Sequence, residues 1–212
     1  MTHLKYFKFI SLLFFSATVF GQNTDVLIDN ANNLYESGQY KQVIELLDGV
    51  VGTKEQMGAI EFLLGDSEHK MDDFENAISH YNQAERNGKK SIELYFHRSA
   101  AYISLEKYNK AIKDLNKAIE LQPGNAELFF YRAYAYTELE KPGMAILDYN
   151  RAILIKPDFY QAFYNRGAVQ IELENLEKGS ADLEKAEEIG GDKTDASFNL
   201  AIISYEKKEY DK

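Results

Sequence analysis

The sequence predicts an all-α protein, built as a solenoid of antiparallel helix hairpins that stack side by side. One observation is a sequence period of 34 residues, which is visible when residues 95–123 are aligned with residues 129–157. A second is that each period contains two runs of residues with helical spacing, separated by a short turn. A third is the composition, which has only three Pro and is rich in Ala, Leu, Glu and Lys, residues that favour helices.

The first 21 residues do not follow this period and have the layout of a signal peptide. Lys5 and Lys8 supply a positive start, and the mostly apolar run FISLLFFSATVF extends from residue 9 to residue 20. A small residue precedes Gln22, where cleavage is expected. The alternative is an uncleaved N-terminal membrane anchor, but a spanning helix needs about 20 apolar residues and this run has twelve. We therefore expect an exported protein, periplasmic or extracellular, from which residues 1–21 are removed.

The rest of the chain, residues 22–212, is expected to form the solenoid. From residue 24 onward it divides into five complete repeats of 34 residues and a partial sixth, without an insertion: 24–57, 58–91, 92–125, 126–159, 160–193 and 194–212. A position is the place of a residue within its repeat, so that residue 24 is at position 1. Repeats of this length are typical of solenoids, in which each unit buries its apolar side against its neighbours.

Each repeat is predicted to form two helices joined by a tight turn. In the third repeat, residues at helical spacing mark both helices: Tyr95, Ser99 and Tyr102, then Ala111, Leu115 and Ala118. Residues 105–107 lie between them as the turn, and Pro123 prevents the second helix from continuing. Small residues recur at position 8, where two helices must approach closely: Ala31, Gly65, Ser99, Ala133, Gly167 and Ala201.

This pattern of small, aromatic and proline positions resembles the tetratricopeptide repeat, and the resemblance covers residues 24–212. It implies a right-handed superhelix whose first helices line a concave groove that binds proteins or peptides. The first repeat departs from the pattern, with Val43 and Val50 at positions that are small elsewhere, as expected of an end repeat with one neighbour. The sixth repeat stops at Lys212, where either a capping helix ends or the natural chain continues.

The resemblance places the groove at positions 2, 5, 9, 12 and 13 of each repeat. Position 5 forms a ladder of mostly aromatic residues: Ile28, Phe62, Phe96, Phe130, Tyr164 and Phe198. Positions 9 and 12 add the other partner-binding candidates: Asn32, Asp66, His69, Ile103, Tyr134 and Ile171. The ladder has two compatible interpretations, which are packing between neighbouring first helices and an apolar stripe that a partner covers.

The charge pattern narrows the class of partner. Acidic residues outnumber basic ones by 34 to 24, a balance that disfavours nucleic acid, because nucleic acid is bound by clustered Lys and Arg. Acidic side chains at positions 2 and 13 flank the ladder, among them Glu93, Glu127 and Glu138. We therefore expect a protein or peptide partner with apolar and basic residues, and no stable membrane insertion after signal cleavage. The chain lacks the residues of the family's carboxylate clamp for acidic C-termini.

No catalytic residue, cofactor or metal site is predicted. The chain has no Cys, and it has no phosphate-binding glycine loop or nucleophile motif. The histidines after residue 21 are His69, His80 and His97, and their spacing is not that of a metal site. Acidic residues lie mainly four positions from a Lys, as Glu106 and Lys110 do, which is typical of a solvated helix surface.

These patterns predict a non-enzymatic scaffold of the cell envelope that binds a segment of a partner in its groove. Two alternatives stay open. In one, the chain is a structural module that forms a homo-oligomer through its apolar last helix, residues 194–210. In the other, it is the repeat part of a longer protein whose activity lies elsewhere.

Overall fold

The computed structural model of the chain describes residues 24–190. These residues form ten α-helices and no strand, which confirms the predicted all-α fold class. Over the same range, no helix is both long enough and apolar enough to span a lipid bilayer. The predicted signal peptide, the partial sixth repeat and Phe198 lie outside the described residues.

The helices form five hairpins, each with a first and a second helix. Their bounds are α1 Thr24–Glu36, α2 Tyr40–Leu47, α3 Lys54–Lys70, α4 Phe74–Arg86, α5 Ile92–Ser104, α6 Tyr108–Leu121, α7 Ala126–Glu138, α8 Pro142–Ile155, α9 Tyr160–Glu172 and α10 Leu176–Ile189. The chain divides after Lys90 into two compact blocks. We call them the N-terminal block, which holds α1 to α4, and the C-terminal block, which holds α5 to α10.

Each hairpin turns through a residue with a left-handed backbone at position 15. Glycine occupies this position only in the first repeat, as Gly38, and the later repeats have an acidic residue there: Asp72, Glu106, Glu140 and Glu174. In the third repeat, the N–H of Lys107 donates to the carbonyl of Tyr102, and the N–H of Glu106 donates to that of Ile103, both at 2.8 Å. This pair of bonds ends α5 and reverses the chain. Because the turn is the same in every hairpin, each second helix begins at position 17.

Small residues set the distance between the two helices of a hairpin. Positions 8 and 20 are buried in all five described repeats: Ala31 and Val43, Gly65 and Ala77, Ser99 and Ala111, Ala133 and Ala145, Gly167 and Gly179. A Cβ atom on Gly65 would lie 2.9 Å from the ring of Tyr81, and one on Gly179 would lie 3.0 Å from the carbonyl oxygen of Gly167. Larger residues at these positions would therefore push the two helices apart.

An ion pair with a buried carboxylate joins the two helices of each hairpin in the C-terminal block. It recurs from position 7 to position 23 as Arg98–Asp114, Arg132–Asp148 and Arg166–Asp182. Arg132 also donates to Asn116 Oδ1 at 2.7 Å, so that one guanidinium contacts the second helices of two successive repeats, α6 and α8. Arg166 contacts α8 and α10 in the same way, through Asn150 and Asp182. The planar guanidinium thus satisfies the buried carboxylate with two bonds and links neighbouring hairpins.

The second repeat replaces this ion pair with a different one. Its positions 7 and 23 are Leu64 and His80, and the imidazole of His80 lies between two carboxylates of α3. Nδ1 is 2.6 Å from Glu61 Oε2, and Nε2 is 3.4 Å from Glu68 Oε1. The hydrogen bond to Glu68, with a further one to Glu61, outweighs burial and raises the pKa of His80 to about 9. An imidazolium therefore joins α3 to α4 at neutral pH.

Candidate functional site

The candidate site in the C-terminal block is the surface made by α5, α7 and α9, which we call the first-helix face. Positions 2 and 13 are exposed: Glu93, Ser104, Glu127, Glu138, Gln161 and Glu172. Positions 5, 9 and 12 are half-buried: Phe96, Ala100, Ile103, Phe130, Tyr134, Thr137, Tyr164, Ala168 and Ile171. Each helix therefore presents a half-buried, mostly apolar strip, with exposed polar or acidic side chains near its two ends, which form the edges of the face.

Aromatic rings link neighbouring helices on this face. The rings of Phe96 on α5 and Tyr131 on α7 meet edge to face, with their centroids 5.2 Å apart. The ring of Phe130 lies 5.3 Å from that of Tyr131 and 5.0 Å from that of the buried Phe159, which precedes α9. Such ring pairs contribute about 0.5–1.5 kcal/mol each beyond their area burial. Phe96 and Phe130 thus pack between helices while remaining only half-buried.

Tyr134 lies with Tyr108, the first residue of α6, at one edge of the face. Their ring centroids are 6.5 Å apart, and the Tyr108 hydroxyl donates to Glu138 Oε2 at 3.2 Å. Burial, with the Glu138 carboxylate as the next cause, raises the pKa of Tyr108 to about 12 and also raises that of Tyr134. Both phenols are therefore protonated at neutral pH, and Tyr108 donates its single O–H to Glu138 within the chain.

The other candidates in this block are apolar or aromatic side chains on α5 and α9. Ile103, Tyr164 and Ile171 are each half-buried. Ile171 packs over α10, since a Cβ atom on Gly179 would lie 2.6 Å from its Cγ1. These three side chains extend the apolar strip along their helices.

In the N-terminal block the first helices are α1 and α3. Ile28 is half-buried and Asn32 is exposed on α1. Phe62 on α3 is half-buried, and the ammonium of Lys89 lies 4.4 Å from its ring centroid. The Lys89 ammonium therefore already contacts the Phe62 ring, and a basic side chain of a partner would share that ring with Lys89.

Asp66 and His69 take part in the contact between α3 and α4. Asp66 is only 7% exposed, and its Oδ1 accepts a hydrogen bond from the hydroxyl of Tyr81 at 2.7 Å. The half-buried ring of His69 meets that of Phe74 at 5.3 Å. The structure thus gives both side chains a role within their own hairpin. The last ladder residue, Phe198, lies outside the described residues.

Three aromatic residues join the first-helix face without lying at its repeat positions: Tyr108, Tyr131 and Phe159. Tyr131 is at position 6, and the run of three aromatic residues at 129–131 is its signal in the sequence. Its contact with Phe96 depends on how two repeats stack, which the pattern within one repeat does not show. Tyr108 and Phe159 lie at helix boundaries, where helical spacing gives no prediction.

The chemistry offered by these surfaces is that of binding. Within residues 24–190, no group of three His, Asp or Glu side chains is arranged to hold a metal ion. The first-helix face combines apolar contact area, phenol oxygens that can accept hydrogen bonds, and exposed carboxylates. An apolar surface with a few polar groups at its edges suits a macromolecular partner.

Two family models match the chain. One, described as a TPR repeat, matches residues 100–140, and another, described as a tetratricopeptide repeat, matches residues 126–159. Among the curated proteins compared with the chain, none matches its sequence.

Solved structures with the same fold include YrrB, whose structure is described as a TPR protein with an unusual peptide-binding site. It is 21% identical, with a TM-score of 0.76, over 84% of this chain and 91% of its own. A crystal structure of MamA is 20% identical, with a TM-score of 0.70, over 75% and 93%. MamA of Desulfovibrio magneticus RS-1 is 12% identical, with a TM-score of 0.74, over 80% and 96%. At these identities the likeness shows the fold alone.

Proposed function

Because the chain is a tetratricopeptide-repeat protein, we propose that it is a protein-interaction scaffold whose first-helix face binds a segment of a partner. The observation that carries this proposal is the regular exposure along α5, α7 and α9. Positions 5, 9 and 12 are half-buried in all three helices, and positions 2 and 13 are exposed. A continuous set of partly exposed apolar side chains is what a partner covers. The peptide-binding site named for the structural neighbour YrrB supports a peptide ligand for this fold.

The partner segment is proposed to carry apolar anchors and basic residues. Phe96, Phe130 and Tyr164 supply apolar contact, and each large side chain that a partner buries fully contributes about 1.5–3 kcal/mol. The exposed edges of α7 carry Glu127 and Glu138, which attract Lys or Arg and repel an acidic segment. Apolar contact would therefore supply most of the affinity, and the acidic edges would supply selectivity.

The scaffold is further proposed to act in the cell envelope, because residues 1–21 have the layout of a signal peptide. In a bacterial host, the protein recovered from the periplasm or the medium is expected to begin at Gln22 when its N-terminal peptide is sequenced by mass spectrometry. Recovery of a protein in the cytoplasm that still begins at Met1 would contradict export.

The proposal that the first-helix face binds a peptide is tested by selecting short peptides from a random display library on the wild-type chain. Selected peptides are expected to contain aromatic or aliphatic anchors together with Lys or Arg. Phe96→Ala is expected to raise their Kd about tenfold or more, because it removes a large apolar contact. Titration of a labelled selected peptide by fluorescence anisotropy gives both Kd values.

The matched control is Leu121→Ala, which also truncates an apolar side chain. Leu121 is 52% exposed at the end of α6, off the first-helix face, so its replacement is expected to leave Kd unchanged. Circular dichroism checks that both variants keep the helical content of the wild type. Equal Kd values for wild type and Phe96→Ala would place the binding site elsewhere.

A further inference from the structure

A cavity of about 240 Å³ lies at one edge of the first-helix face, between the hairpin turns of the fourth and fifth repeats. We call it the turn cavity. It is lined by three apolar side chains, one hydroxyl and two carboxylates: Thr137, Glu140, Pro142, Val169, Glu172 and Leu173. An apolar cavity of about 150 Å³ is enough to hold a benzene ring. The turn cavity therefore has room for one aromatic side chain of a partner.

In the preceding pair of repeats, a tyrosine of the chain itself joins the positions that border the turn cavity. Tyr108 is at position 17 of the third repeat. Its ring centroid is 6.5 Å from that of Tyr134, at position 9 of the fourth repeat, and its hydroxyl donates to Glu138, at position 13. One repeat later, Pro142 occupies position 17 and Ala168 occupies position 9. Both rings are thus absent between the fourth and fifth repeats, where the turn cavity lies.

The groups that Tyr108 would contact are still present beside the turn cavity. Glu172 is at position 13 of the fifth repeat, as Glu138 is in the fourth. Pro142 has no hydrogen-bond donor in its side chain, so it cannot give Glu172 the bond that Tyr108 gives Glu138. Leu173, at position 14, is 42% exposed, and Val169 is buried at the base of the cavity. The turn cavity therefore offers an apolar wall and a carboxylate acceptor side by side.

We propose that the turn cavity binds a tyrosine side chain of the partner segment, with the phenol hydroxyl donating to the Glu172 carboxylate. The ring would contact Pro142, Val169 and Leu173, and thus take the place that Tyr108 has one repeat earlier. A hydrogen bond to an ionised acceptor is roughly twice as strong as one between neutral groups. This inference rests on the proposed function, because the bound segment reaches the turn cavity from the first-helix face. It adds a tyrosine at a fixed place to the apolar and basic residues proposed for that segment.

Other side chains match the turn cavity less well. A Lys or Arg head between Glu140 and Glu172 would form a surface ion pair, because both carboxylates are exposed, and such pairs contribute little. Its flexible chain would also lose more rotamer freedom than a ring does. Phe would cover the apolar wall but has no donor for Glu172. Asp or Glu would be repelled by both carboxylates. Tyrosine satisfies the wall and the acceptor together.

The test uses peptides selected on the wild-type chain from a random display library. These peptides are expected to share a Tyr at a constant distance from their other apolar anchors. One of them is compared, by fluorescence anisotropy, with two versions that carry Phe or Lys in place of this Tyr. The Phe version is expected to have a Kd about three- to tenfold higher, because it lacks one hydrogen bond to a carboxylate. The Lys version is expected to have a Kd at least tenfold higher, because it loses the buried ring.

Two variants of the chain test the turn cavity itself. Pro142→Tyr gives the fourth repeat the residue that the first and third repeats have at position 17, so it is expected to fold normally and to fill the cavity. Its Kd for the Tyr peptide is expected to be at least tenfold higher than that of the wild type. Glu172→Ala removes the acceptor and is expected to bind the Tyr and Phe versions equally. The control Phe96→Ala is expected to weaken both versions and to keep the ratio of their Kd values. Circular dichroism checks the helical content of all three variants.

The inference is overturned if Pro142→Tyr binds the Tyr peptide as tightly as the wild type does, or if Glu172→Ala keeps the difference between the Tyr and Phe versions. Selected peptides without a shared Tyr would overturn it as well, and a Lys version that binds more tightly than the Tyr version would assign the cavity to a cation. Failure of the proposed function gives a different result, because Phe96→Ala would then leave every Kd unchanged.

Discussion

Four acidic residues hold a left-handed backbone at the hairpin turns of this chain. Their φ angles are 61° at Asp72, 56° at Glu106, 54° at Glu140 and 60° at Glu174. This conformation costs a residue with a Cβ atom about 1–2 kcal/mol, whereas glycine adopts it freely. Gly38, at φ 76°, shows that the same turn also forms with glycine. We have no physical reason from the structure for the acidic residues at the other four turns.

Glu140→Gly is therefore expected to stabilise the protein by about 0.5–1 kcal/mol, once the greater flexibility of glycine in the unfolded chain is subtracted. Chemical denaturation followed by circular dichroism measures the change. The reverse substitution, Gly38→Glu, is the control and is expected to destabilise by a similar amount. A Cβ atom on Gly38 would meet no atom within 4 Å, so only backbone conformation differs. A destabilised Glu140→Gly variant would show that the carboxylate itself supports the turn.

At the scale of the helices, the distance between the two members of a hairpin depends on small residues at particular positions. Gly179→Ala in α10 would bring a Cβ atom to 2.6 Å from Ile171 Cγ1 and 3.0 Å from the carbonyl of Gly167. We expect this variant to lose about 1–3 kcal/mol of unfolding free energy through overpacking. Gly143→Ala in α8 meets nothing within 4 Å and is expected to gain about 0.5–1 kcal/mol from helix propensity. Thermal unfolding of the two variants and the wild type measures the change. If both variants shifted the melting temperature in the same direction, this explanation would be refuted.

Periodicity made the hairpins predictable, because two helical patterns and the small residues at position 8 lie within a single repeat. The half-burial of Phe96 and Phe130 also follows from their positions. Contacts between repeats cannot be predicted from the pattern within one repeat. The ring pair of Phe96 and Tyr131 and the bond from Arg132 to Asn116 depend on how two hairpins stack.

Arg recurs at position 7 and Asp at position 23 of the third, fourth and fifth repeats, but recurrence alone does not show that the two side chains meet. The pairing of Arg98 with Asp114 requires that the facing sides of two helices be known, which spacing along one helix does not supply. The same limit applies to the exposed apolar residues of α8. Met144 and Leu147 are ordinary helix residues until their exposure shows that no part of the described chain covers them.

At the scale of the whole molecule, the C-terminal block exposes apolar side chains on both sets of helices. On α8, the exposed apolar residues Met144, Leu147 and Leu154 lie beside charges of both signs on α6. The half-buried strip of the first-helix face instead recurs at the same positions in α5, α7 and α9. This recurrence is the reason for placing the proposed binding site on the first-helix face.

Whether the first-helix face is a binding site is tested most directly by hydrogen–deuterium exchange. The measurement uses a saturating concentration of a peptide that carries basic and apolar residues and has been selected on the chain. The exchange rate of backbone amides reports local opening, which a bound ligand suppresses where it contacts the protein. We predict slower exchange in α5, α7 and α9, with little change in α8. Protection confined to α6, α8 and α10, or unchanged exchange in α5, α7 and α9 at saturation, would contradict the claim.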